Sequence, residues 1–210
     1  GVAVDDLDGD GKLDIAATSS TASRVFLFRN TSSGDELTFA TRIDSSAGGA
    51  AQNIAIGDLD GDGKPDLAIA NSSAGTVSVL RNTSTVGTLS FAARITFPVG
   101  SQPFTLAIGD IDGDGKLDIV SGNAQAGTIS VLRNISTSGT ISFAAKVDFD
   151  AGSFPFGTTL GDIDGDGKLD ALVVDQGVKL TILRNTSKVD TVRFATKVDF
   201  TTGTTPIRIS

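Results

Sequence analysis

A nine-residue acidic stretch recurring at fixed spacing limits this chain more than any other feature. Asp6-Leu7-Asp8-Gly9-Asp10-Gly11-Lys12-Leu13-Asp14 returns as Asp58 to Asp66, Asp110 to Asp118 and Asp162 to Asp170, each copy starting 52 residues after the last. The flanks repeat as well. Arg29-Asn30, Arg81-Asn82, Arg133-Asn134 and Arg184-Asn185 follow at matching offsets, with one residue deleted near Gln176, and Phe39, Phe91, Phe143 and Phe194 mark a later segment. Such self-similarity marks an array whose units bury their apolar faces against one another. Four units fill the 210 residues, approximately 1–52, 53–104, 105–156 and 157–210, as one repeat domain with no room for a separate domain or long linker.

Within a unit the apolar residues alternate. In the third, Phe104, Leu106 and Ile108 lead into the acidic stretch and Leu117 to Val120 leave it. Thr128 to Leu132 follows a turn at Gly127, and Ile141, Phe143, Ala145, Val147 and Phe149 form a period-2 run. Alternation bounded by Gly, Ser and Asn predicts half-buried strands, and no window has the 3.6-residue period of a helix. Four strands of about five or six residues plus turns fill roughly 50 residues, the size of a propeller blade. The expected fold class is all-β, with four blade-like, four-stranded antiparallel sheets. The Trp-Asp signature of WD40 blades cannot occur here, because the chain has no Trp.

The acidic stretch calls for a cation. Two unit charges about 4 Å apart repel by about 4 kcal/mol at an effective dielectric of roughly 20, so four Asp cannot gather round one point unaided. Positions 1, 3 and 5 can each give one oxygen, position 7 a backbone carbonyl and position 9 two. That makes about six, and a water would make seven, which suits Ca²⁺ better than the octahedral, water-retaining Mg²⁺. Glycines at positions 4 and 6 permit the left-handed backbone such a turn needs. An EF-hand opens similarly but takes its bidentate Glu at position 12 and has helical flanks. An Asp-Gly hairpin turn with solvated charges is the plainer alternative, and four complete copies argue against it. The four stretches hold 16 of the 25 acidic residues and four of the 17 basic ones, so they carry −12 and the remainder +4. About four Ca²⁺, one per repeat, would bring the net charge of −8 close to neutral.

Composition narrows the function classes. The chain has no Cys, His, Met, Trp or Tyr. That removes thiol nucleophiles, disulfides, zinc–thiolate sites and the commonest general base, along with the usual carbohydrate and base-stacking platforms. No base is placed to activate the many Ser and Thr, and the expectation is a protein that is not an enzyme. Its acidity argues against nucleic acid, and no segment reaches the roughly 20 apolar residues of a membrane span.

The segments Ile56-Gly57-Asp58-Leu59-Asp60-Gly61-Asp62-Gly63-Lys64-Pro65-Asp66-Leu67-Ala68 and Ser78-Val79-Leu80-Arg81-Asn82 resemble the FG-GAP/VCBS repeats of integrin-α-type β-propellers. The resemblance covers essentially the whole chain. It implies four-stranded blades, with calcium in the hairpin between a blade's first two strands, in mostly extracellular or cell-surface proteins used for adhesion or scaffolding. Carried over by position, it implies metal ligands Asp6, Asp8, Asp10 and Asp14 with the carbonyl of Lys12, and Asp58, Asp60, Asp62 and Asp66 with that of Lys64. It likewise implies Asp110, Asp112, Asp114 and Asp118 with Lys116, and Asp162, Asp164, Asp166 and Asp170 with Lys168. Asp5 departs from the pattern, standing where the other copies have Gly57, Gly109 and Gly161. So does the number of repeats, four where propellers of this family have about seven.

The chain starts at the strand before an acidic stretch and ends at Pro206-Ile207-Arg208-Ile209-Ser210, which matches the approach to a further strand. The expectation is four blades closed as a small ring, paired with a second chain, or continued in a longer array. Asn30, Asn71, Asn82, Asn134 and Asn185 head Asn-X-Ser/Thr sequons, readable as N-glycosylation sites or as residues suited to a turn. The Phe spacing predicts inter-blade core, and the repeated Arg reads as a solvated or strand-pairing charge. Two functions fit: an adhesion or interaction module whose loops recognise a protein or glycan, and a structural subunit of a surface layer, stalk or filament built from copies of itself. The first expects loops that differ between repeats, as Ser153 to Gly157 and Val174 to Val178 do; the second expects uniform units.

Overall fold

The computed structural model describes residues 1–176 and 179–203. Each repeat is one four-stranded antiparallel sheet paired in chain order. The first contains β1 (Val2–Asp5), β2 (Asp14–Ser19), β3 (Arg24–Phe28) and β4 (Ile43–Ser46). The second contains β5 (Ala51–Gly57), β6 (Asp66–Asn71), β7 (Thr76–Leu80) and β8 (Ile95–Pro98). The third contains β9 (Pro103–Gly109), β10 (Asp118–Asn123), β11 (Thr128–Leu132) and β12 (Val147–Asp150). The fourth contains β13 (Pro155–Gly161), β14 (Asp170–Asp175), β15 (Lys179–Leu183) and β16 (Val198–Thr201). The all-β class and the blade-sized repeat stand as expected. The unit boundaries drawn from repeat spacing fall two residues inside β5, β9 and β13.

One expected strand is divided. The run from Ile141 to Phe149 does not form one ladder. Val147 pairs with Val131 and Phe143 bridges Asn134, so three residues on the returning side face two, Leu132 and Arg133, on the other. That extra residue breaks the pairing as a bulge does. Ile141 and Phe143 belong instead to a small tip hairpin, in which Thr137 bridges Thr140. Every blade carries such a tip between its third and fourth strands, with bridges at Asn30–Phe39, Asn82–Phe91 and Asn185–Phe194 in the others.

Alternation gives each interior sheet two buried faces. From β6, Leu67 and Ile69 point back to the first blade while Ala68 and Ala70 point on to the third. From β10, Ile119 faces back and Val120 forward, and Ala171 and Val173 of β14 complete the last interface. Each fully buried Val, Leu or Ile contributes about 1.5–3 kcal/mol relative to exposure. The Phe residues join these interfaces: Phe97 meets Phe143 with ring centroids 4.9 Å apart, and Phe149 meets Phe194 at 5.0 Å, both edge to face. Three hydrophobic clusters thus join consecutive blades, and none among the described residues joins the first to the fourth. The segment Pro206 to Ser210, and Gly177 and Val178 of the deviant loop, lie outside the described residues.

Candidate metal centre

Each acidic stretch is the loop between a blade's first and second strands. The last paired residues before it are Asp5–Asp14, Gly57–Asp66, Gly109–Asp118 and Gly161–Asp170. Position 9 is therefore both a loop residue and the start of a strand. The eight glycines at positions 4 and 6 all have φ between 74° and 86°, a region that costs other residues strain. No atom outside the loop's own neighbours lies within 4 Å of where a Cβ would stand on any of them, so conformation rather than space requires glycine.

Backbone amides turn the carboxylates inward. In the first loop Asp6 Oδ1 accepts from Gly9 N (2.8 Å) and Asp10 N (3.1 Å), and Asp6 Oδ2 accepts from Gly11 N at 2.8 Å. Asp8 Oδ1 accepts from Asp10 N, and Asp10 Oδ1 from Lys12 N. The other three loops repeat this set. Position 9 is held by two amides at once: Asp14 accepts from Leu7 N and Asn30 N, Asp66 from Leu59 N and Asn82 N, Asp118 from Ile111 N and Asn134 N, and Asp170 from Ile163 N and Asn185 N. Lys64, Lys116 and Lys168 send their ammonium groups to the carbonyls of Ser84, Ser136 and Ser187 in their own tips.

Mutually close oxygens, within 4.8 Å of one another, come from Asp6, Asp8 and Asp10 in the first loop and Asp58, Asp60 and Asp62 in the second. In the third they come from Asp110, Asp112 and Asp118, and in the fourth from Asp162, Asp164 and Asp170. In no loop does the close set include all four: position 9 is left out in the first two loops and position 5 in the last two. A further close set, Asp112, Asp114 and Asp190, draws its last member from the fourth blade's tip.

Burial makes these charges costly. Asp66 is pushed up to about 6 and Asp118 to about 7, first by removal from water and then by neighbouring Asp, against the pull of their amide donors. Burial likewise raises Asp14, Asp60 and Asp112. Asp8 is 5% exposed and its Oδ2 has no hydrogen-bond partner; Arg29 approaches it only to 3.7 Å. A buried, unpartnered carboxylate oxygen beside an all-oxygen donor set fits a hard divalent cation. Asp5 donates nothing to this cluster; its Oδ1 accepts from Asp6 N. Gly57 and Gly109 are pressed by Leu117 and Leu169 of the next blade, 3.1 and 2.6 Å from where a Cβ would be. Pro65 stands at the position of Leu117 and Leu169 and lines one groove together with Asp5.

Two repeated residues prove to belong to the loops. Arg29, Arg81 and Arg133 lie 3.6–3.9 Å from the carboxylates at positions 3 or 5, and Arg184 reaches Asp164 at 3.0 Å. Their offset from each loop, 23 residues in three copies and 22 in the fourth, was the available signal. The Asn beside each Arg clamps its loop through N–H and receives the amide of Ser32, Ser84, Ser136 or Ser187. The Nδ2 groups of Asn82, Asn134 and Asn185 each donate twice, once within the blade and once to Leu7 O, Leu59 O or Ile111 O of the preceding loop at 2.8 Å. These contacts bear on the sequons. A glycan attaches through that nitrogen, and Asn71, Asn82, Asn134 and Asn185 are at most 1% exposed with Nδ2 already donating. Asn30 is half-buried, and its Nδ2 donates to Leu13 O.

Residues 6–69, 58–121 and 110–173 each match the FG-GAP-like repeat family, together spanning well over half of the chain. Two solved structures are similar at low identity. The exotype rhamnogalacturonan lyase YesX is 15% identical with a TM-score of 0.49, over 87% of this chain and 44% of that one. The Photorhabdus luminescens Tc holotoxin pore is 19% identical with a TM-score of 0.37, over 97% of this chain and 12% of that one. The chain therefore spans less than half the length of either. No curated protein matches it. Among the described residues no helix is long and apolar enough to cross a membrane.

Proposed function

Because the chain belongs to the FG-GAP-like repeat family, we propose that it is a non-catalytic, calcium-binding interaction module that works outside the cell or at its surface. The observation that carries this is the buried Asp8 Oδ2, without a hydrogen-bond partner, within a loop whose four Asp recur in every blade. Asp6, Asp8, Asp10 and Asp14 with the Lys12 carbonyl, and their counterparts in the later loops, would hold one Ca²⁺ each. Bound calcium would compensate the buried charge and stiffen the loop. The raised carboxyls of Asp66 and Asp118 are no general acids, since two backbone amides hold each of them inside its loop. The ligand class is a protein or glycan, read by loops that differ between repeats. Asn30 is the sequon at which a secreted form would carry a glycan.

A second reading, a structural subunit of a surface layer or filament, is favoured by one observation. The outermost sheets expose apolar residues, Val2 (68%) and Val4 (56%) on the first and Val198 (53%) and Phe200 (51%) on the last. Arrays cover such faces with further units. Native mass spectrometry in dilute calcium separates the readings. A monomer with four Ca²⁺ supports the interaction module, and multimers with four per chain support the subunit. A chain that takes up no calcium would sink both.

A further inference from the structure

The loops differ in what the following blade brings to them. Loop 2 receives the amide of Gly139, from the third blade's tip, on Asp60 Oδ2 at 3.0 Å. Loop 3 receives the amide of Asp190, from the fourth blade's tip, on Asp112 Oδ2 at 2.8 Å. The corresponding oxygen of loop 1, Asp8 Oδ2, is buried without any such donor, although Ser84, Thr85 and Val86 of the second blade's tip line the same groove as Asp8. The grooves between successive loops follow the same order, about 760 Å³ between loops 1 and 2, 600 Å³ between 2 and 3, and 280 Å³ between 3 and 4. Loop 4 has no described tip against it, and the Asp164 side chain is 35% exposed where Asp8, Asp60 and Asp112 are at 0%.

We propose that calcium sites 2 and 3 are completed across a blade interface, the tip amide of the next blade positioning the carboxylate at position 3, so that calcium in these loops staples one blade to the next. The inference rests on the calcium reading above. A carboxylate already aimed and held out of water loses less freedom on binding, and its attraction to the cation is less screened. Loop 4, exposed and with Arg184 already paired to Asp164, fills last. The backbone amides of Gly139 and Asp190 are positioning groups: they donate to the carboxylate and do not touch the metal.

The test is a calcium titration of the 210-residue protein by 15N NMR, following the loop amides of Gly9, Gly61, Gly113 and Gly165, with hydrogen exchange measured at Gly87, Gly139 and Asp190. Calcium should slow exchange at Gly139 and Asp190 and leave Gly87 as it was. Gly139→Pro removes the donor and should weaken site 2 by about tenfold or more, the worth of a hydrogen bond to a charged group, with sites 1, 3 and 4 unmoved. Gly87→Pro breaks the same turn where no donor reaches the loop, and should leave site 1 unchanged. Equal effects of the two variants on their facing sites, or equal exchange at Gly87 and Gly139, would overturn the proposal while leaving the calcium sites intact. If no loop amide responds at millimolar calcium, the calcium reading itself falls. The exchange measurement needs only wild-type protein, so a variant that fails to fold does not remove the test.

Discussion

Loops 3 and 4 are identical in all nine residues, Asp110 to Asp118 and Asp162 to Asp170, yet they occupy different environments. Ile111 is 1% exposed and Ile163 is 55%. The same backbone amides reach the same carboxylates in both, so the local sequence sets the loop's conformation by itself. What differs is supplied from the next blade: Asn185 on the Ile111 carbonyl and the Asp190 amide on Asp112. In a repeat array, then, the local motif shapes a site and the following repeat desolvates and orients it.

The strongest way to break this comparison is to remove position 9 from each loop. Asp118→Ala orphans the amides of Ile111 and Asn134, and Asp170→Ala those of Ile163 and Asn185. A buried orphan costs about 1–3 kcal/mol, whereas water can satisfy an exposed one. In calcium-free protein Asp118→Ala should lose about 2–4 kcal/mol in chemical denaturation and Asp170→Ala about half as much. Equal losses would mean that the fourth blade is as well closed as the third.

Next in size is a pH effect on the calcium-free protein. Burial holds Asp66 at about 6 and Asp118 at about 7, above the roughly 3.9 of an unfolded Asp. The folded chain therefore binds more protons than the unfolded one between pH about 4 and 7. This stability is fully present below about pH 4 and is lost as pH rises through about 6 to 7. Asp150 and Asp199, lowered by their amide, hydroxyl and lysine partners, act with the opposite sign and only at the acidic end. The melting temperature without calcium should fall between about pH 5 and 8. Asp118→Asn should flatten the fall; a flat wild-type profile would show that burial does not hold these carboxyls protonated.

Much of this was legible in the sequence because it is local. Period-2 alternation gave the strands, the 52-residue spacing gave the blades, and Gly at positions 4 and 6 gave the loop. What was hidden depends on residues about 75 positions away. Asn134 reads as a turn residue or a sequon until the Leu59 carbonyl of the previous blade is seen against it. The tip residues carry no common sequence signal: Gly139 and Asp190 share a backbone role and a left-handed φ, 80° and 65°, but not a side chain. Ile141 to Phe149 looked like one strand because a single extra residue breaks a ladder without disturbing the alternation.

The smallest expected effect sharpens the comparison most. Arg184 is 54% exposed and pairs with Asp164 at 3.0 Å, whereas Arg133 leans instead on Asp190 at 2.7 Å and stays 3.8 Å from Asp112. An exposed pair contributes about 0.2–1 kcal/mol, so Arg184→Gln should leave the calcium-free melting temperature within a few degrees of wild type. The guanidinium is nonetheless a positive charge that a cation entering loop 4 must displace, and its removal should tighten that site by a few-fold. If the missing neighbour is what weakens loop 4, it will still be the last to fill in the variant, measured by the Gly165 amide against Gly113. If Arg184→Gln brings the two level, the arginine alone separates them, and two loops of identical sequence would differ through one ion pair rather than through the blade that follows.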